Sequence, residues 1–544
     1  MWTSTLELSP GRVITTRLLG RFWPGAYFSS FAPLQVQNLP RQSLPAANWV
    51  RVRNRLAGVS DNDLHWIHVD YDFRVAPAVA GEHRSYPGHE VVGEVIEVGN
   101  EVQQLQVGDR VVLQHDLNCV IAGVEPLCRS CAAGNYSLCE RADLPGPKPI
   151  GGGWSEEMLL YEQQLFRISP EMSDEQGVLL QPSSVALRAV LRRLPRADEH
   201  ILINGASTMG LLILQFVHAL SPQTRISVLA RYAFQVEQAM RLGATQILYP
   251  QDSYEGVQKA TGAHLYKGMM GSKMLLGGYD VIYDTVGSKR TISNALRWTR
   301  AGGSVVLVGM SLHLMRIDLT PIWYQEVDLI GTYGNGMEIW PLGTHERRST
   351  FAIAADMITR GQLFPEKLIT HRFALNNYKH ALAAATREAQ SRAIKVVFDY
   401  SLLPASVVPN VRAAAQHRQH VLSRPSSSGT PPITWQPVSP LSPMPTPSED
   451  VPTSPIPSAP LPPSEIVPPF ISPNEPQETH EVGQEQADEN GPDTVVGAKS
   501  KYTRQRNRVQ QPVNQLQEEP ASEPASDAED SQSTTTNEAS DAIQ

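Results

Sequence analysis

The sequence predicts an α/β fold whose second half is a parallel sheet covered on both faces, followed by a disordered tail. Three observations carry this. Apolar strand-like runs alternate with helical segments between about residues 200 and 331. A glycine-rich turn, HILINGASTMG at 200–210, opens the first unit of that alternation. Composition then breaks near residue 400: residues 401–544 hold 24 of the 43 prolines and none of the cysteines.

The alternation reads in order. An apolar strand, Ile201 to Ile203, runs into the turn and then into the helical run LLILQFVHAL. Further strand candidates are ISVLA (226–230), TQILY (245–249), DVIYD (280–284), SVVLV (304–308) and VDLIG (327–331). FQVEQAMRLG (234–243) and SKRTISNALRWT (288–299) read as helices between them. Parallel strands need such crossovers, because the chain must return to the same end of the sheet before each new strand.

The turn Gly205-Ala206-Ser207-Thr208-Met209-Gly210 is set against the dinucleotide pattern G-x-G-x-x-G. Gly205 allows the tight turn and Gly210 allows helix to pack on strand, whereas Ser207 replaces the glycine that lets backbone approach a pyrophosphate. A serine there narrows the approach but adds a hydroxyl. The second strand ends Leu229-Ala230-Arg231-Tyr232, without the acid that holds ribose hydroxyls in NAD sites. Arg231 offers a fork for a 2′-phosphate and Tyr232 a ring beside the adenine, so NADP(H) is favoured over NAD(H). A surface arginine at a helix start is the plainer alternative.

All four cysteines fall within 21 residues, as Cys119, Cys128, Cys131 and Cys139 in the spacing C-x8-C-x2-C-x7-C. Four thiolates suit a tetrahedral zinc with no open coordination position, hence a structural ion. Two disulfides would need an oxidising compartment, which nothing in the chain suggests.

Charge follows the compositional break. The tail carries 18 Asp+Glu and 8 Lys+Arg, and the first 400 residues carry 37 and 38. The acidity therefore belongs to the tail and says little about ligands of the folded part. Such a Pro-rich segment cannot bury enough apolar surface to offset its ordering entropy. The basic run KSKYTRQRNR (499–508) reads as a solvated charge run, and nucleic acid is not expected as a partner. No 18-residue apolar run and no secretory leader is found, so the expectation is a cytoplasmic protein without a membrane partner.

Together these pieces resemble the zinc-type medium-chain dehydrogenase/reductase family, in its threonine, polyol and alcohol dehydrogenase branch. The resemblance covers about residues 5–400 and rests on WVRVRNRLAG (49–58), DLH (63–65), PGHEVVGEVIEVG (87–99), VGDRVV (107–112), the cysteine lobe, GGGWSEEMLL (151–160), the nucleotide unit, YDTVGS (283–288) and AGGSVVLVG (301–309). It implies a GroES-like β-rich catalytic domain at 1–175, a Rossmann domain at 176–335, a return to the catalytic domain at 336–400 and the added tail at 401–544. A small-molecule substrate in the intervening cleft and a homo-oligomer, dimer or tetramer, are implied too.

The same resemblance exposes what has changed. In the family a catalytic zinc takes a cysteine from C-G-[ST]-D, the histidine of GHE and a third, acidic donor. Here the first segment reads Ser60-Asp61-Asn62-Asp63, His89 and Glu90 remain, and Gln181 stands at the third position. By the pattern Asp63 orients His89. Asn62 replaces a hydroxyl that relays the alcohol proton. Losing a thiolate and a carboxylate removes most of the affinity for zinc, so a catalytic zinc is not expected unless Asp61 substitutes as a ligand. The expected function is hydride transfer between NAD(P)(H) and an alcohol or carbonyl, either with metal at His89, Glu90 and Asp61 or with a donor such as Ser60, Asn62 or His65. The alternative is a catalytically silent NADP-binding protein whose tail recruits partners.

Overall fold

The structure is a computed structural model that describes residues 1–75, 86–141 and 143–403. The expectations for the tail and for the basic run 499–508 lie outside the described residues.

Two sheets organise these residues. The first has seven strands and is built on Trp49–Gly58, a ten-residue strand paired antiparallel with Val91–Val98 on one side and Lys395–Asp399 on the other. Arg110–Leu113, Glu157–Tyr161 and Leu165–Arg167 continue it, and Ile369–Phe373 forms its far edge. Its core joins Val50, Val52, Val91, Val95, Trp154 and Phe398. The edge strand Ile369–Phe373 alternates along its length, whereas its neighbour Lys395–Asp399 is buried throughout.

The second sheet has six strands, all paired in parallel. In space they run Gln246–Leu248, Arg225–Leu229, His200–Asn204, Tyr279–Asp284, Thr299–Leu307 and Asp328–Gly331. Chain order therefore reverses beside His200–Asn204, and in open α/β sheets ligands bind at such a reversal. Helix Thr208–Leu220 follows the first strand and is apolar along nearly its whole length, as burial between sheet and neighbouring helices requires. Helix Leu180–Arg192 leads in from the first sheet.

An N-terminal hairpin precedes both sheets: Trp2–Leu6 pairs antiparallel with Leu34–Asn38. Between them lies helix Pro10–Gly20, started by Ser9 and by proline at its first position. Its inner side, Val13, packs with Trp66, Val69, Tyr71 and Leu312. No helix among the described residues is long and apolar enough to cross a membrane.

Candidate active site

The remnant of the metal motif lies where strand Trp49–Gly58 ends. Ser60 caps the helix Asp61–Ile67, and Asp63 three residues on completes a reciprocal capping box. The Ser60 hydroxyl donates to Asp63 Oδ2 at 2.7 Å and accepts from the Asp63 amide at 3.1 Å. Asp63 Oδ1 takes the Gly88 amide at 3.2 Å. Gly88 has φ +90°, and its missing β-carbon leaves room for the Trp154 ring. The turn so formed sets His89 Nδ1 3.9 Å from Asp63 Oδ1, beyond hydrogen-bonding distance. Ser60 and Asp63 thus spend their polar atoms on shaping the helix start and the turn.

Glu90 is answered by a residue the sequence reading did not single out. Lys395, on the returning strand, forms an ion pair with Glu90 Oε2, and both side chains are almost fully buried. Its ammonium also donates to the Val59 carbonyl at 3.0 Å. A β-carbon at Gly58 would collide with the Glu90 carboxylate, so the glycine is what lets the pair form. A lone lysine inside the apolar run AIKVVF was the available signal, since a buried charge demands a partner.

The other predicted groups are brought near but differently engaged. Asn62 Oδ1 accepts from the Trp66 indole at 3.1 Å. Gln181 sits on the first turn of helix Leu180–Arg192, half-buried, and its side-chain amide joins none of these bonds. Asp61 is exposed. His65 Nδ1 lies 3.2 Å from Asp70 Oδ2, and His313 Nε2 lies 3.0 Å from Asp70 Oδ1. His313 follows strand Thr299–Leu307, so Asp70 ties the two sheets' loops together, helped by a 2.7 Å bond from the Asp72 amide to the Leu312 carbonyl. Burial pushes the Asp70 carboxyl up, but its bonds to His313 and His65 outweigh this and hold it below its ordinary value. Among the described residues, the cysteine lobe is the group of three or more His, Cys, Asp or Glu donors close enough to share an ion. Asp61, His89 and Glu90 form no such group.

The dinucleotide turn keeps its geometry despite Ser207. Gly205 has φ +115°, a left-handed conformation that disfavours any side chain. A β-carbon at Gly210 would strike the Gly205 carbonyl oxygen. Gly210→Ala is therefore expected to push the helix off the turn, at about 1–3 kcal/mol, and to weaken nicotinamide dinucleotide binding, read by fluorescence titration. Ser207 caps helix Thr208–Leu220 through its backbone alone, leaving its hydroxyl uncommitted. Thr208 Oγ1 donates to the Ile394 carbonyl at 2.9 Å, which joins this helix to the returning segment beside Lys395. At the next strand's end Arg231 is exposed, 5.9 Å above the Tyr232 ring, while Gln235 accepts from the amides of Arg231 and Tyr232. Glu388, another residue missed in the sequence, faces this region. Burial and then Asp61 raise its carboxyl to about 6, with Arg231 opposing.

The four cysteines converge as their spacing predicted. Their sulfurs lie within 4.8 Å of one another, and Cys119 and Cys139 are 3.6 Å apart. Zinc–sulfur bonds of 2.3 Å in a tetrahedron place sulfurs roughly 3.8 Å apart, so the donor set fits a zinc ion. Cys128 caps the short helix Arg129–Ala132, and amides of Glu140 and Cys131 lower its thiol to about 6; burial raises that of Cys131.

Residues 46–170 match the alcohol dehydrogenase GroES-like domain, and residues 208–347 match the zinc-binding dehydrogenase domain. A sorbitol dehydrogenase of Arabidopsis thaliana is 30% identical over 357 residues, covering 64% of this chain and 88% of that protein. The chain belongs to the zinc-type medium-chain dehydrogenase/reductase family. As a member of that family it is an NAD(P)-dependent oxidoreductase with GroES-like and Rossmann parts. An L-idonate 5-dehydrogenase of Vitis vinifera is 29% identical, covering 64% of this chain and 87% of that one. Among solved structures, the 2R,3R-butanediol dehydrogenase of Bacillus subtilis shares the fold with TM-score 0.53 and 24% identity, over 67% of this chain and 96% of that one. A zinc-binding dehydrogenase of Sinorhizobium meliloti 1021 bound to NADP does so with TM-score 0.52 and 23% identity, over 67% and 95%.

Proposed function

We propose that this dehydrogenase moves a hydride between NADP(H) and an alcohol or carbonyl without a metal ion in the cleft, and that its zinc is confined to the cysteine lobe. The observation that carries this reading is the engagement of the motif's remnants. Ser60 and Asp63 cap a helix, Glu90 is neutralised by Lys395, and the third position is the amide Gln181. Little negative charge is left to hold a dication.

The cofactor, when bound, supplies or accepts the hydride. Gly205, Ser207 and the start of helix Thr208–Leu220 would hold its pyrophosphate, Arg231 a 2′-phosphate and Tyr232 the adenine face. His65, with Nδ1 held by Asp70, would exchange the substrate proton through Nε2 at the cleft rim. Without a Lewis acid, stabilisation of the developing oxyanion falls to neutral donors, which favours carbonyls already activated by conjugation. The polyol-acting relatives support the hydride chemistry and disfavour a silent scaffold.

We also infer the domain division at 1–175, 176–335 and 336–400, supported by which strands share each sheet. A homo-oligomer formed along the edge strand Asp328–Gly331, where Leu329 is exposed, fits the family. The test is a titration of the full chain with NADPH and NADH, beside metal analysis. The reading expects one zinc per chain and tighter NADPH. Arg231→Ala should lower NADPH affinity about tenfold, one charge-assisted bond's worth, and leave NADH unchanged. Two zinc ions per chain, or equal losses for both dinucleotides, would count against it.

A further inference from the structure

The helix Pro10–Gly20 packs on the protein through Val13 and Thr16, yet its opposite side is not polar. Ile14, Leu18 and Phe22 follow one another at intervals of four, which places them in one row along the helix and its exit. Leu19 and Trp23 form a second row beside the first. Leu18 is 57% exposed, Trp23 54% and Phe22 89%. Five large exposed apolar side chains thus lie on one element, which starts ahead of the first family-domain match at residue 46.

We propose that this element is a peripheral membrane-docking surface for an anionic lipid leaflet. Charge decides between occupants. From Leu8 to Phe31 the chain contains no aspartate or glutamate and three arginines, Arg12, Arg17 and Arg21. Arg12 is paired with Glu7, and Arg17 donates to the Tyr71 carbonyl and covers the Phe73 ring. Arg21 lies exposed at the helix exit, between Leu18–Leu19 and Phe22–Trp23, and makes no ion pair among the described residues. Leucine, isoleucine, phenylalanine and tryptophan flanked by an uncommitted arginine match what the interfacial zone of a bilayer takes up. Five side chains fall well short of the roughly 20–30 residues a side of a stable protein interface, whereas a lipid surface needs no complementary shape. It goes beyond the expectation of no membrane partner, which rested on the lack of a long apolar run and of a secretory leader.

The test is co-sedimentation of the full chain with phosphatidylcholine vesicles, with and without phosphatidylserine, and light scattering on the same samples. The wild type should bind the phosphatidylserine vesicles, less so as salt rises. Leu18→Asp with Phe22→Asp should reduce that binding tenfold or more while NADPH binding and molecular mass stay unchanged. Arg21→Glu alone should remove only the phosphatidylserine-dependent part, and decides the matter should the double variant fail to fold. Failure to bind either vesicle overturns the proposal. So does undiminished binding by the variants, or a fall in molecular mass on Leu18→Asp/Phe22→Asp, which would make the patch an interface between copies. The NADPH titration reads the cofactor site independently, so neither result depends on the proposed chemistry.

Discussion

Replacing Cys128 with serine is expected to abolish stoichiometric zinc and to release the segment 119–139 from the fold. Three thiolates and a hydroxyl hold zinc far less well than four thiolates, and structural zinc sites carry about 10–16 kcal/mol of binding free energy in isolated fingers. Part of that energy fixes the loop here, because the segment's apolar anchoring is small: its own cysteines with Leu144 and their neighbours, and Ile121 against Trp49, Leu159 and Tyr161. Its links outward are a few polar bonds, among them Asn335 N to Ser137 Oγ and Arg188 to Asn135. Metal analysis should read near zero, and limited proteolysis should cut first within 119–139. His89→Ala is the matched control, and its zinc content should equal that of the wild type. A halved value would mean that the cleft does hold an ion.

The second large effect belongs to Lys395. Substituting methionine preserves much of the volume but leaves the Glu90 carboxylate buried without its counter-charge, at a cost of about 3–5 kcal/mol. The measurement is the denaturant midpoint with an unchanged slope. Adding Glu90→Gln to Lys395→Met should recover most of the loss, because it removes the stranded charge. A loss below about 1 kcal/mol in the single variant, the range of exposed pairs, would show that the carboxylate reaches water.

The sequence made the second sheet legible because burial on both faces leaves near-continuous apolar runs; five predicted strands lie within a residue or two of the observed ones, whereas Thr299–Leu307 starts five residues ahead of the predicted SVVLV (304–308). Boundaries shifted where caps decide them. The helix after the turn begins at Thr208 rather than in the apolar run at Leu211, since Ser207 starts it with residues that read as part of the glycine motif. Helix Pro10–Gly20 escaped notice although Ser9-Pro10 is a start signal; its apolar residues fall on both sides and blur the period. The cysteine lobe was readable because all four ligands are neighbours in sequence. Lys395 and His313 were not: their partners Glu90 and Asp70 lie about 305 and 243 positions away, and no local pattern encodes such a pairing.

The placement of strand Lys395–Asp399 beside Trp49–Gly58 has a consequence for biosynthesis. The catalytic sheet stays open until its last strand has left the ribosome, so a nascent chain would display an unpaired edge for most of translation. The 141 residues 404–544 (544 less 403) are still to be made when Leu403 is added. At about 5–20 residues per second their synthesis takes roughly 7–28 s, during which the polypeptide is tethered and kept apart from its siblings. Part of that interval is open to co-translational closure of the sheet.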